Sequence, residues 1–204
     1  MRFKPLIVVV AIVIALGAGL LIAEKQGRIS FGEPEESSTG KADIGGKFTL
    51  TDQDGDKVSD SEFRGKYMLV FFGFTSCPSI CPVGMATLTQ TMEQLEKDGD
   101  ADKMQPIFIT VDPETDTPKR MKEYLANFYP SIIGLTGSQA ELDAVQKEYK
   151  VYASKVKDKT MPSGYNVDHT GFIYLMDKNG EYLRHCAYNE SPRKLASDIE
   201  EALH

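Results

Sequence analysis

An α/β sandwich behind an amino-terminal membrane segment is the fold class the sequence predicts, on three observations. Residues 6–23 are an unbroken run of Leu, Ile, Val, Ala and Gly. Beyond residue 46, strand-like and helix-like segments alternate, opening on a continuous apolar strand, a loop and a helix. The chain closes with a hairpin and an amphipathic helix. A strand-loop-helix start, a later parallel crossover and such an ending describe a sandwich of the thioredoxin kind.

The run at 6–23 reaches ~27 Å at ~1.5 Å per residue, close to the thickness of bilayer hydrocarbon. Arg2 and Lys4 precede it, whereas Lys25 and Arg28 after it are diluted by Glu24, Glu33, Glu35 and Glu36. Positive-inside bias therefore leaves residues 1–5 as a cytoplasmic stub and exports the chain beyond the anchor. A cleaved signal peptide is the rival reading, but cutting at Gly17-Ala18-Gly19 would leave Leu20-Leu21-Ile22-Ala23 on the mature end. Residues 24–45 carry no periodic apolar pattern and read as a linker, with 46–204 as the folded domain. The expected location is a bacterial inner membrane, single-pass, with the domain in the periplasm, where thiols can be held oxidised.

Within the domain, 48–50 and the turn 52–56 predict a small hairpin. Residues 68–74 are apolar throughout, as expected of a strand covered on both faces, and 82 to about 97 come next as a helix. A second buried strand is expected at 105–111, then a helix over 118–128 with Pro118 in its first turn and Thr117 as cap. Ser138 caps a helix over 139–149, and 151–155 suit a short strand. Strands at 169–176 and 181–186 flank Asp177-Lys178-Asn179-Gly180, whose Asn-Gly step predicts a hairpin, and 191–203 close as a helix.

Thirty acidic against 23 basic side chains give a formal charge of -7, the wrong sign for holding phosphate backbones, so no nucleic acid is expected as a partner. With three Cys and three His, chemistry that needs soft ligands or imidazoles draws on six positions.

Cys77-Pro78-Ser79-Ile80-Cys81-Pro82 falls at the carboxyl end of the first core strand and the mouth of a helix, where open α/β sheets place their sites. With Pro82 in the first turn, the Cys81 sulfur is expected near free amide donors and the positive end of the helix dipole, which favours its thiolate. The spacing lets the two sulfurs either close a disulfide or open around a soft ion. A structural disulfide is the plainer alternative, although so short a loop gains little unfolded-state entropy from closure. Val167-Asp168-His169-Thr170 leads into the later apolar strand, and the loop entering that strand faces the cysteine loop in such a sandwich. Two thiolates and one imidazole form a soft trigonal set suited to Cu(I), with room for a weaker ligand on Cu(II). A lone His is otherwise more often a satisfied hydrogen-bonding partner than a ligand.

Phe71-Phe72-Gly73-Phe74-Thr75-Ser76-Cys77-Pro78-Ser79-Ile80-Cys81-Pro82, Val111-Asp112-Pro113-Glu114-Thr115-Asp116-Thr117-Pro118, Ile133-Gly134-Leu135-Thr136-Gly137 and Val167-Asp168-His169-Thr170 together resemble the Sco/SenC family of membrane-anchored copper proteins. The resemblance runs from about residue 46 to the carboxyl end. It implies a thioredoxin-like domain that binds one copper, Cu(I) or Cu(II), through Cys77, Cys81 and His169. It also implies a part in assembling the copper A centre of cytochrome c oxidase subunit II. Another periplasmic copper chaperone, or a thioredoxin-like reductant, is a further partner on this reading. Family counterparts of Asp112 and Asp116 are associated with the site. For Asp112 the choice lies between orienting the ligands and forming the turn, and for Asp116 turn chemistry is favoured.

Two function classes emerge, a metallochaperone that passes copper on by ligand exchange and an oxidoreductase using a redox-active Cys77–Cys81 dithiol toward that subunit's cysteines. A thiol peroxidase is disfavoured, since Phe74 and Val70 stand where a peroxiredoxin needs Thr and Pro, and Trp is absent. A closed zinc site would call for a fourth protein ligand. His185 and Cys186 are adjacent on a strand and so face opposite ways, with Cys186 expected as a small core residue. Met85 is expected in the core and His204 in solvent. Lys155, Lys157 and Lys159 surround Met161 in a loop read either as solvated or as a docking surface.

Overall fold

The computed structural model describes residues 42–203. The anchor expected at 6–23 and nearly all of the 24–45 linker lie outside the described residues. Among the described residues no helix is long and apolar enough to cross a membrane. Ile44 packs against the core and Gly45 N–H donates to the Glu148 carbonyl, so packing starts slightly before residue 46.

In chain order the elements are β1 (Thr49–Asp52), β2 (Lys57–Ser59), β3 (Tyr67–Gly73), α1 (Ile80–Asp98), β4 (Met104–Thr110), α2 (Pro118–Leu125), β5 (Ile133–Thr136), α3 (Gln139–Glu148), β6 (Ala153–Lys157), β7 (Tyr165–His169), β8 (Phe172–Met176), β9 (Tyr182–Ala187) and α4 (Pro192–Leu203). Seven strands form one sheet in the order β2-β1-β5-β4-β3-β8-β9, while β6 and β7 pair separately as an antiparallel ribbon. β3, β4 and β5 run parallel at the centre, and β8 and β9 continue the sheet, with β8 antiparallel to β3 and β9 antiparallel to β8.

All seven residues of β3 are buried, which is why its sequence shows no alternation. A helix lies close on it, since a methyl at Gly84 in α1 would stand 2.5 Å from the Phe71 ring. Thr117 caps α2 by accepting from Arg120 N–H, and Ser138 with Glu141 forms a capping box on α3. At the β8–β9 turn the Asp177 carboxylate accepts from the amides of Asn179 and Glu181, and Gly180 takes φ 74°.

Three elements differ from the sequence reading. The helix begun at Pro118 stops at Leu125 rather than 128, because the Asn127 side-chain amide donates to the carbonyls of Glu123 and Tyr124 and closes the turn. β5 had no counterpart; four residues interrupted by Gly134 are too short to show a period, and the strand exists through pairing with β4 and β1. The single strand expected over 169–176 is divided. His169 ends β7, whereas β8 starts at Phe172 in the main sheet, with Thr170 N–H donating to the Tyr152 carbonyl at the break.

Candidate metal centre

The loop from β3 to α1 carries Cys77, α1 carries Cys81 in its first turn, and the last residue of β7 is His169. Although 88 residues separate Cys81 from His169, the Cys81 Sγ and His169 Nε2 atoms stand 3.4 Å apart. One ligand atom from each of the three residues lies within 4.8 Å of the others. Cys81 is fully buried and Cys77 is 8% exposed. All three cysteines of the chain are free thiols.

The imidazole is fixed from both sides. Its Nδ1 faces the Thr170 carbonyl at 3.1 Å, which only accepts, so the ring proton belongs there and Nε2 turns its lone pair toward the sulfurs. Phe74 meets the ring edge-on, with centroids 5.8 Å apart. A cavity of about 270 Å³ opens beside the cluster, lined by Cys77, Ser79, Ile80, Asn166, Val167, Asp168 and His169.

The two thiols are unequal, and in the opposite sense to the sequence reading. Helix α1 begins at Ile80, so Cys81 lies inside the first turn with its sulfur in the core, while the Cys77 sulfur faces the helix end and accepts from Cys81 N–H at 3.5 Å. The hydrogen bond from Cys81 outweighs burial and, with the backbone amides of Ser79 and Cys81, lowers the Cys77 thiol to about 3. Burial, then the neighbouring Cys77, pushes the Cys81 thiol up. The arrangement favours negative charge on Cys77 over Cys81.

Gly73 makes room for this pair, a role the sequence reading does not assign. A methyl in its place would stand 2.6 Å from Cys81 Sγ. The signal is a glycine interrupting an otherwise bulky strand just before a cysteine loop.

Asp112 does not join the cluster. It is buried and accepts from Thr115 Oγ1 at 2.5 Å and from Tyr165 Oη at 3.0 Å, which ties the β4 turn to the start of the strand that ends in His169. Asp116 is more than a turn residue. Fully buried, it accepts from Thr110 Oγ1, Thr75 Oγ1 and Thr75 N–H, and burial pushes its carboxyl above the usual range against those hydrogen bonds. Lys155 is not a free docking charge either. Its ammonium sits 2.7 Å from Glu114 and 3.5 Å from Asp112 and lies over the Tyr165 ring. Met85 and Cys186 are core residues, and His185 is exposed with Nδ1 2.6 Å from Tyr182 Oη.

The SCO1/SenC sequence profile matches residues 36–204. The SCO2-like protein of Rickettsia felis is 37% identical over 197 residues, covering 93% of this chain and 92% of that protein. Bradyrhizobium japonicum ScoI, solved with copper bound, superimposes with a TM-score of 0.71 at 44% identity, covering 78% of this chain and 98% of that one. BsSco, described as a member of the Sco family of cytochrome c oxidase assembly proteins and the subject of a disulfide switch, gives a TM-score of 0.62 at 31% identity over 77% and 91%.

Proposed function

The chain belongs to the SCO1/SenC family, and from that premise we propose that it is a copper metallochaperone for assembly of the copper A centre of cytochrome c oxidase. The observation that carries this reading is the convergence of Cys77, Cys81 and His169 within 4.8 Å of one another. Two sulfurs and one imidazole nitrogen are a soft, three-membered donor set that suits copper, and the cavity beside them leaves a side open for an incoming ligand. Copper is cargo here, held by these three residues and released by exchange onto a partner's ligands.

The inequality of the thiols gives the order of events. Cys77, already a thiolate, takes the cation first, and Cys81 must then lose its proton, so loading releases a proton. The His169 lone pair completes the set. Subunit II of the oxidase is the proposed acceptor. The segment at 6–23 is the proposed anchor in the bacterial inner membrane, with the domain in the periplasm, supported by its unbroken apolar run and flanking charges.

The second reading, a thiol-disulfide reductase acting on that subunit, is favoured by the same inequality. Cys77, the more exposed thiolate, attacks a substrate disulfide and releases one substrate thiolate. Cys81 then displaces the second substrate sulfur from the mixed disulfide, leaving Cys77–Cys81 oxidised and the substrate reduced by two electrons. The imidazole separates the two readings, because thiol exchange has no need of it. Incubating the copper-loaded domain with the soluble copper A domain of an oxidase, and following metal and thiol state together, tests the choice. Copper moving with thiols unchanged is expected; disulfide exchange without metal movement would overturn the chaperone reading.

A further inference from the structure

Thr75 and Ser76, the two residues before Cys77, are held by a side chain from another element. Arg120 lies in the first turn of α2, and its guanidinium donates from Nε to Thr75 Oγ1 at 2.8 Å and from Nη2 to Ser76 Oγ at 2.6 Å. Thr75 Oγ1 in turn donates a hydrogen bond to Asp116 Oδ1 at 2.6 Å, and Thr75 N–H donates to Asp116 Oδ2 at 3.0 Å. The loop is thus gripped by its backbone and by two consecutive hydroxyls, all from the segment 116–120.

We propose that Arg120 is a positioning residue for the metal centre, one planar fork spanning two loop hydroxyls so that Cys77 stays aimed at the Cys81 amide and at His169. Three observations support it. The fork acts on the two residues that lead directly into Cys77, whose own N–H is tied back to the Phe74 carbonyl. A guanidinium reaches both hydroxyls with fixed geometry, whereas an ammonium is a single point donor. Arg120 is itself exposed and lies outside the hydrophobic core, so its effect on the loop is separable from an effect on folding. The copper part of this inference rests on the metallochaperone reading; the thiol part does not.

The test compares wild type with Arg120→Ala, Arg120→Lys, Ser76→Ala and the Ser76→Ala/Arg120→Ala double variant. Two readouts are followed: the rate of Cys77 alkylation in metal-free protein, assigned by peptide mapping, and the rate of Cu(I) release to a competing chelator. The sulfur-to-copper charge-transfer band of the Cu(II) form is a third. Losing two hydrogen bonds at an exposed site is expected to speed alkylation and release by about threefold to tenfold in Arg120→Ala. The band should shift, the melting temperature should hold, and Arg120→Lys should restore part of the effect. The double variant should be no worse than Arg120→Ala, because Ser76 acts through the same fork. Alkylation and release both at wild-type rates in Arg120→Ala would overturn the proposal, as would full additivity in the double variant. A wild type that fails to hold copper, with alkylation still altered in Arg120→Ala, would sink the copper reading and leave the positioning role standing.

Discussion

Two thiol environments, one just beyond the end of a sheet strand and one within a strand, differ in everything except burial. Cys77 and Cys81 lie at the carboxyl end of β3, where a strand gives way to a helix, and meet amide donors, each other and the lone pair of an imidazole. Cys186 lies within β9, one residue from its end, paired in register with Ile173, on the same face as Arg184, which reaches Asp198 of α4. It is 7% exposed, against 8% for Cys77. Burial, the largest influence on Cys186, pushes its thiol up to about 11, whereas at Cys77 the hydrogen bonds from its neighbours win over the same penalty. A buried cysteine is inert until the fold aims donors at it, and strand ends supply donors that strand interiors have already spent on the ladder.

The sharpest way to break that contrast is by deletion. Cys77→Ser and Cys81→Ser are each expected to abolish tight copper binding, while Cys186→Ser should leave one copper per chain bound. Dialysis against a copper buffer followed by metal analysis checks all three. Retention in either of the first two variants would mean that Cys186 or a methionine holds the metal.

Much of this was legible in the residues. Cys77 and Cys81 stand after an apolar run and before a helix, and that order alone placed them at a strand end. His169 was legible only through its neighbours, because nothing local to Val167-Asp168-His169-Thr170 says which way the ring points. Which cysteine carries the charge was not legible, since the decision turns on whether α1 begins at Ile80 or Pro82. Two residues of offset move the Cys81 sulfur from the helix mouth into the core. β5 and β7 were hidden for a related reason: each is held by pairing with a neighbouring strand rather than by a local pattern, whereas β6 overlaps the short strand expected at 151–155. Arg120 could not have been assigned at all, because its partners Thr75 and Ser76 lie 45 and 44 residues away.

The second test sharpens the comparison by titration in the metal-free protein. A thiol lowered to about 3 stays ionised from pH 8 down to pH 5, so alkylation of Cys77 is expected to be flat across that range. A thiol pushed up to about 11 loses thiolate tenfold for each unit below that value, so Cys186 should react measurably only in strong alkali. The slope with pH is the readout rather than the absolute rate, because a low-pKa thiolate is intrinsically a weaker nucleophile. A tenfold drop per unit at Cys77 below pH 8 would remove its distinction from Cys186.

The smallest of the three effects concerns the ligand that neither Cys186 nor a simple dithiol possesses. In the metal-free fold the His169 ring is already oriented by the Thr170 carbonyl and by Phe74, so removing it takes away a prepared donor. Cu(I) is satisfied by two soft sulfurs, and His169→Ala is expected to cost it little. Cu(II) prefers nitrogen and a higher coordination number, so the same change should weaken it by on the order of tenfold or more, at about 1.4 kcal/mol per decade. Competition titrations of each oxidation state, in wild type and variant, read the two losses separately. Because loss of the imidazole falls mainly on Cu(II) whereas loss of a sulfur falls on both oxidation states, the difference between the losses reports the ring's coordination more directly than either loss alone. Equal retention of Cu(II) in both proteins would place the imidazole outside the coordination sphere, and the strand end would then be set apart from Cys186 by its second thiol and its amide donors alone.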